Sequence, residues 1–288
     1  MNANNIEYQS LLATGLDKAL VAEAATGWME ANAAGVIYKG GNTYKVAKID
    51  FSKKTPQDYN KAGGYVNNPV SVTYEEHTFD KDWDATLYID AMDVDETNFI
   101  ATATTLAGEQ ERTIFAPAVD GYRLTKLAKY AADNEGHSRV LVPTSANIYS
   151  ELKADMRKAT AGRAVKESDL RIHIAESVYY TLCDSKEVQK TLPVNGGAIN
   201  FNDEVKTINN AILIPTADSL MVDAEGNLVN WIVMGKQVPV AITKHNFSNI
   251  FDPSVNQKGN GYTVVGRLYH TLNVNDNQIK ALYACTAA

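Results

Sequence analysis

The stretch Asp82-Trp83-Asp84-Ala85-Thr86-Leu87-Tyr88-Ile89-Asp90-Ala91-Met92-Asp93-Val94-Asp95-Glu96-Thr97 changes its period partway along. Trp83, Ala85, Leu87 and Ile89 alternate with Asp82, Asp84, Thr86 and Tyr88, the two-residue repeat of a strand with one buried face. The alternation predicts a strand over 83–92. Asp93, Asp95 and Glu96 then stand before a helical stretch predicted from 97 to 132, where carboxylates suit the positive end of the helix dipole. Ile114, Ala118 and Tyr122, with Phe115 and Val119 beside them, give that helix adjacent apolar rows. At 1.5 Å per residue it would run roughly 50 Å, and Pro117 should kink or split it.

The segments before this unit do not account for their own burial. Leu12, Leu16 and Leu20 recur at helical spacing within an Ala-, Asn- and Glu-rich run. So narrow an apolar stripe predicts that residues 1–35 form an arm needing another surface. Tyr44, Val46 and Ile49 belong to a strand-like segment ending near Phe51. Val70, Val72 and Tyr74 alternate beyond the polar stretch Ser52–Asn68. Together they predict a long hairpin, and a hairpin alone is marginal in water.

After Asn134-Glu135-Gly136 the pattern alternates between helix and strand. Strands are expected at 139–142, 211–215, 231–234 and 238–242. A helix is expected over 144–160, opened by Thr144 and Ser145 as capping residues. Residues 170–174 and 178–182 suit either element, and Gly196-Gly197 marks a turn. Residues 244–261 read as a long irregular loop, followed by two closing strands.

Composition narrows the function classes. The chain has 288 residues, 45% hydrophobic and 21% charged, enough for one or two domains. A net charge of −7 argues against gripping phosphate backbones with a basic face. Cys183 and Cys285 match neither a metal nor a disulfide framework, as expected for a reducing cytoplasm. Neither a signal peptide nor a membrane-length apolar run is found. His77, His137, His173, His245 and His270 are scattered, and Asp90, Asp93, Asp95 and Glu96 lack the glycine and distal glutamate of a calcium loop. Gly235-Lys236 lacks the rest of a phosphate loop, and no nucleophile elbow occurs. The expectation is therefore no catalytic, cofactor-binding or metal residues, though triads can assemble from distant positions.

Read in order, three blocks carry a resemblance. The first runs Val72-Thr73-Tyr74-Glu75-Glu76-His77-Thr78-Phe79-Asp80-Lys81-Asp82, through Leu87–Thr97, to Phe115-Ala116-Pro117-Ala118-Val119-Asp120-Gly121-Tyr122-Arg123. The second spans Val238-Pro239-Val240-Ala241 to Ile250-Phe251-Asp252-Pro253, and the third is Gly261-Tyr262 to Gly266-Arg267-Leu268-Tyr269. In order and patterning the chain resembles the major capsid proteins of tailed bacteriophages with the Hong Kong 97 (HK-97) fold.

That resemblance implies an α+β fold with an N-terminal arm (1–35), an extended β-hairpin loop (36–78), a peripheral domain with a long spine helix (79–135 and 241–288) and an axial α/β domain (136–240). It implies a non-enzymatic shell subunit without cofactors, forming hexamers and pentamers of an icosahedral virion assembled in the bacterial cytoplasm. Double-stranded DNA would be enclosed without sequence readout. A separate scaffolding protein, a portal and decoration proteins would be its partners. Many relatives carry a cleaved N-terminal scaffold; the methionine at residue 1 favours a separate one. Lys53, Lys54, Asp58 and Lys61 become candidate intersubunit contacts, and Pro117 and Gly121 candidate flex points of the helix. Some relatives join subunits by Lys–Asn isopeptide bonds, for which Lys53, Lys54 and Lys61 with Asn256 and Asn260 have the right side chains. The alternatives are an encapsulin-type bacterial compartment, sharing the fold but holding enzyme cargo, and an unrelated α+β enzyme.

Overall fold

The computed structural model describes residues 24–35, 37–38, 41–51, 59, 61, 70–96, 102–161, 164–189, 205–256 and 259–287. A 3-10 helix, Gly27–Gly35, precedes β1 (Ile37–Tyr38), β2 (Thr43–Phe51), β3 (Val70–Thr78) and β4 (Lys81–Asp90). Helices α1 (Ala91–Glu96), α2 (Ala103–Gln110) and α3 (Ala116–Ala132) follow, then β5 (Ser138–Val140), α4 (Ile148–Thr160), β6 (Leu170–Ala175), α5 (Glu176–Cys183) and α6 (Lys186–Gln189). The chain closes with β7 (Thr207–Ile208), β8 (Ala211–Thr216), β9 (Val229–Gly235), β10 (Pro239–Phe251), β11 (Gly261–Val274) and β12 (Leu282–Thr286).

These strands form three sheets: β1-β2-β3, β10-β11-β4 and β5-β12-β9-β6-β8-β7. The last is the structural centre. Every residue of β9 is buried, as expected of a strand covered on both faces. Leu124, Leu127 and Ala131 of α3, Leu152 and Met156 of α4, and Val178 and Leu182 of α5 join it in one core. That core extends through Ala241 and Leu272 into the near ends of β10 and β11.

The strand over 83–92 is present but stops at Asp90, whose Oδ1 accepts the Met92 N–H at 2.9 Å and opens α1. Asp93, Asp95 and Glu96 thus lie within a short helix of their own. The long helix is capped instead by Thr102, whose Oγ1 accepts the Thr105 N–H at 3.2 Å.

Pro117 does not split the long helix. The run from Ala103 to Ala132 is continuous, about 45 Å at 1.5 Å per residue. The turn just before the proline, Glu111–Phe115, widens into a π-helix in which the Ala116 N–H reaches Glu111 O. Pro117 has no N–H to return to the carbonyl four residues back, and its ring needs room there; the wider turn supplies it.

The irregular loop expected over 244–261 is half strand. β10 continues to Phe251 and pairs with β11 along its length, leaving only 252–260 as the connection. The outer half of β10 faces solvent, so Lys244-His245-Asn246-Phe247-Ser248-Asn249 carries little apolar alternation. A register shift between Thr243 and His245 further breaks its period. The helix expected from Thr144 begins at Ile148, after a turn in which Asn147 Oδ1 accepts the Thr144 N–H at 2.8 Å. β12 lies between β5 and β9, so the C-terminal strand belongs to the six-stranded sheet and not with β10 and β11.

The arm also differs from expectation. Residues 1–23 and Gly196-Gly197 lie outside the described residues, but 24–35 pack on the chain's own body. Thr26 and Met29 there are wholly buried.

Candidate assembly surface

The hairpin β2–β3 is antiparallel, with Lys45 opposite Glu76, Ala47 opposite Tyr74 and Ile49 opposite Val72. Side chains alternate across a sheet, so Ala47, Ile49, Val70, Val72 and Tyr74 share one face. That face is bare: Ile49 is 55%, Val72 57% and Tyr74 60% exposed. An apolar row of this kind on a two-layer-less hairpin is the pattern of an interaction surface.

The other face and the base are fastened. Tyr44, fully buried, packs with Phe79, Val240 and Ile242. Its hydroxyl accepts a hydrogen bond from the Asn273 amide. Phe79 lies against Tyr269 with ring centroids 5.1 Å apart, and its N–H donates to Asn42 O at 2.9 Å. Lys48 Nζ reaches Asp276 at 2.9 Å and Glu75 at 3.5 Å; the Asp276 hydrogen bond, then the Glu75 charge, holds the ammonium pKa above its ordinary value. His77, on the same face, is pushed down by burial against the pull of Glu75. The hairpin is therefore anchored by one face and apolar along the other.

A second constellation fixes β4 and β11 to α3. Tyr122 donates to Asp80 Oδ1 at 2.6 Å, Lys126 Nζ to Asp80 Oδ2 at 2.7 Å, and Thr271 Oγ1 to Asp80 Oδ1 at 2.8 Å. Burial opposes the Asp80 carboxylate, but these hydrogen bonds together hold its pKa below the ordinary range. Burial lowers Lys126 and raises Tyr122. His270 sits between Trp83 and Tyr122, at 4.7 and 5.1 Å between ring centroids, and burial lowers it to about 4. Asp80, Tyr122, Lys126 and Thr271 hold one another, and the cluster is a polar rivet between layers.

Two further perturbed groups are enclosed. Asp155 accepts from Trp231 Nε1 at 3.0 Å and Arg139 Nη2 at 2.9 Å, with burial still raising its pKa. The Cys285 thiol is pushed up to about 11 by burial. Among the described residues no group of three His, Cys, Asp or Glu side chains is placed to hold a metal ion, and no helix is long and apolar enough to cross a membrane.

Of the residues singled out from sequence, Lys53, Lys54 and Asp58 lie outside the described residues. Lys61 is exposed in a turn. Pro117 follows the π-turn, and Gly121 lies opposite Leu220, whose Cδ2 would stand 3.6 Å from an added Cβ. Asn256 donates to Gly261 O and Thr263 Oγ1, both at 2.9 Å, and so closes the β10–β11 connection. Ile49, Val72 and Tyr74 were legible as strand residues, but their shared bare face was not, because it depends on pairing across the polar tip.

No protein-family model and no curated protein sequence matches the chain. Solved structures do. The mature capsid of bacteriophage PhiM1 aligns with a TM-score of 0.68 at 13% identity, covering 98% of this chain and 92% of that one. The capsid structure of cyanophage P-SCSP1u aligns at 0.66 and 12% identity, with coverage of 98% and 92%. A structure from Mycobacterium phage Che8 aligns at 0.62 and 13% identity, covering 98% of each chain. The chain has the α+β, HK-97-type fold of phage capsid structures.

Proposed function

We propose that this chain is the major capsid subunit of a tailed bacteriophage, assembling into hexamers and pentamers of an icosahedral head around double-stranded DNA. The observation that carries the reading is the bare apolar face of Ile49, Val72 and Tyr74 on a hairpin fastened by its opposite face. Such a face is satisfied by a sister copy, and rings follow from heterologous contacts that close by rotation. Full-chain similarity to phage capsid structures supports the same reading and does not favour an encapsulin.

In this scheme Lys53, Lys54, Asp58 and Lys61 contact the neighbour at the hairpin tip. Residues 136–240, joined by β12, surround the ring centre as the axial domain, while 79–135 with β10 and β11 form the periphery. Pro117 and Gly121 are flex points of the spine. Obligate interfaces of this class bury roughly 2,000–5,000 Å². The net charge of −7 suits a wall beside DNA better than a reader of it. A structural role is proposed without catalysis; scaffolding, portal and decoration proteins are the expected partners, and the virion the expected location, after assembly in the host cytoplasm.

Negative-stain microscopy of the purified chain, alone and with its scaffold, tests the proposal. Regular rings, tubes or shells are expected, and a Val72→Lys chain should give none. A monodisperse monomer under every assembly condition would overturn it.

A further inference from the structure

Residues 24–35 cross the junction between the six-stranded sheet and the β10-β11-β4 sheet, and they touch both. On α3, Asp120 accepts the Ala25 N–H at 2.8 Å, the Thr26 N–H at 3.1 Å and the Thr26 hydroxyl. Arg123 Nη1 donates to Thr26 O at 3.2 Å, and its Nη2 to Glu30. Asp120 and Arg123 are only 4% and 2% exposed, so a buried charged pair of side chains is devoted to holding this segment. On the six-stranded sheet, Trp28 stacks over His173 of β6, 6.2 Å between centroids and 15° between planes. At the turn from β9 to β10, where the chain passes between the sheets, Asn32 Nδ2 donates to Lys236 O at 2.8 Å and Pro239 O at 2.7 Å. On β10, Thr243 Oγ1 donates to Glu30 at 3.3 Å, and Ala33 packs against the Tyr44, Phe79, Val240 and Ile242 cluster.

We propose that residues 24–35 act as a releasable clasp that sets the orientation of the six-stranded sheet against the β10-β11-β4 sheet. Its grip combines those hydrogen bonds with the buried Met29 in the main core, and its helix is 3-10, a form used in short pieces because its hydrogen bonds are poorly aligned. Among the described residues the closed clasp also leaves Trp28 Nε1, His173 Nε2 and Arg123 Nε buried without a partner. Opening returns those groups to water, which offsets part of what the clasp contacts contribute. The clasp does not depend on whether the chain builds a shell.

Two measurements on the dilute full-length chain test it. Asn32→Ala removes both bonds to the β9–β10 turn from a half-buried surface position, and Asp120→Asn weakens the α3 anchor. In either variant, amide hydrogen exchange across 25–33 should quicken at least tenfold. In a Cys183→Ser background, nitroxides at Ser150→Cys on α4 and Ser248→Cys on β10 should report a narrow distance distribution in the parent chain and one at least twice as broad in the variants. If 25–33 opens while that distribution keeps its width, the segment is a passive covering and the proposal fails. It fails equally if exchange across 25–33 does not change in either variant, since the named anchors then do not hold it.

Discussion

The six-stranded sheet and the β2–β3 hairpin spend similar residues in opposite ways. β9 buries every one of its side chains within its own chain, while Ile49, Val72 and Tyr74 lie open on the hairpin. Both segments are rich in β-branched and aromatic residues, so strand propensity does not separate them. What differs is the supply of covering layers: α3, α4 and α5 pack on the sheet, whereas the described hairpin meets the body on one face, at Tyr44, Val46 and Lys48, and leaves the other face open. One region is covered by its own chain, and the other has a face that the described chain leaves open.

The contrast breaks most visibly at Trp231. Its ring is fully buried and its indole N–H donates to Asp155, so Trp231→Ala should cost about 3–5 kcal/mol in chemical denaturation of the unassembled subunit. Loss of less than 1 kcal/mol would show that the sheet is not the stabilising core. Next in size is an acid effect on the same core. His173 is wholly buried, and burial lowers it to about 4 from 6.5. The unfolded chain therefore binds more protons between those values, and stability falls as pH drops from about 6.5 to about 4, by about 3 kcal/mol for this one group. His173→Phe should flatten that part of the stability–pH curve; an unchanged slope would assign it to other groups.

Smaller again is the cap of the long helix. Thr102→Ala removes the acceptor for the Thr105 N–H and should cost about 1 kcal/mol, read as a shift in denaturation midpoint. The least change in subunit stability belongs to the hairpin. Val72→Lys should alter the unfolding free energy by no more than about 0.5 kcal/mol, since an exposed position loses little. The same variant should nonetheless remove assembled particles from light scattering and micrographs. A large loss of subunit stability with assembly intact would reverse the contrast between the two regions.

Local pattern carried much of this architecture. The alternation of Trp83, Ala85, Leu87 and Ile89 marks β4, the apolar run Trp231–Met234 marks a strand, and the rows Ile114, Ala118, Tyr122 and Phe115, Val119 mark the long helix. What stayed hidden depends on partners remote in sequence. The outer half of β10 is polar because it faces solvent, and only its register with β11 makes it a strand. Thr26 and Asp120 look like ordinary surface residues until the fold brings them together and buries both. Pro117 predicted a kink or a split, and the helix instead runs on through a π-turn before it, with Phe115 lodged against Gly266.

The place of β12 has a consequence for the order in which the molecule is made. Its five residues, Leu282–Thr286, insert between β5 and β9 and are translated after every strand they join. Until they leave the ribosome, β5 has no neighbour and β9 is an open edge, so the nascent chain carries a gap where the finished sheet is densest. A chain stalled or clipped before Leu282 would expose that gap to other nascent copies. Completion of the six-stranded sheet thus waits on β12.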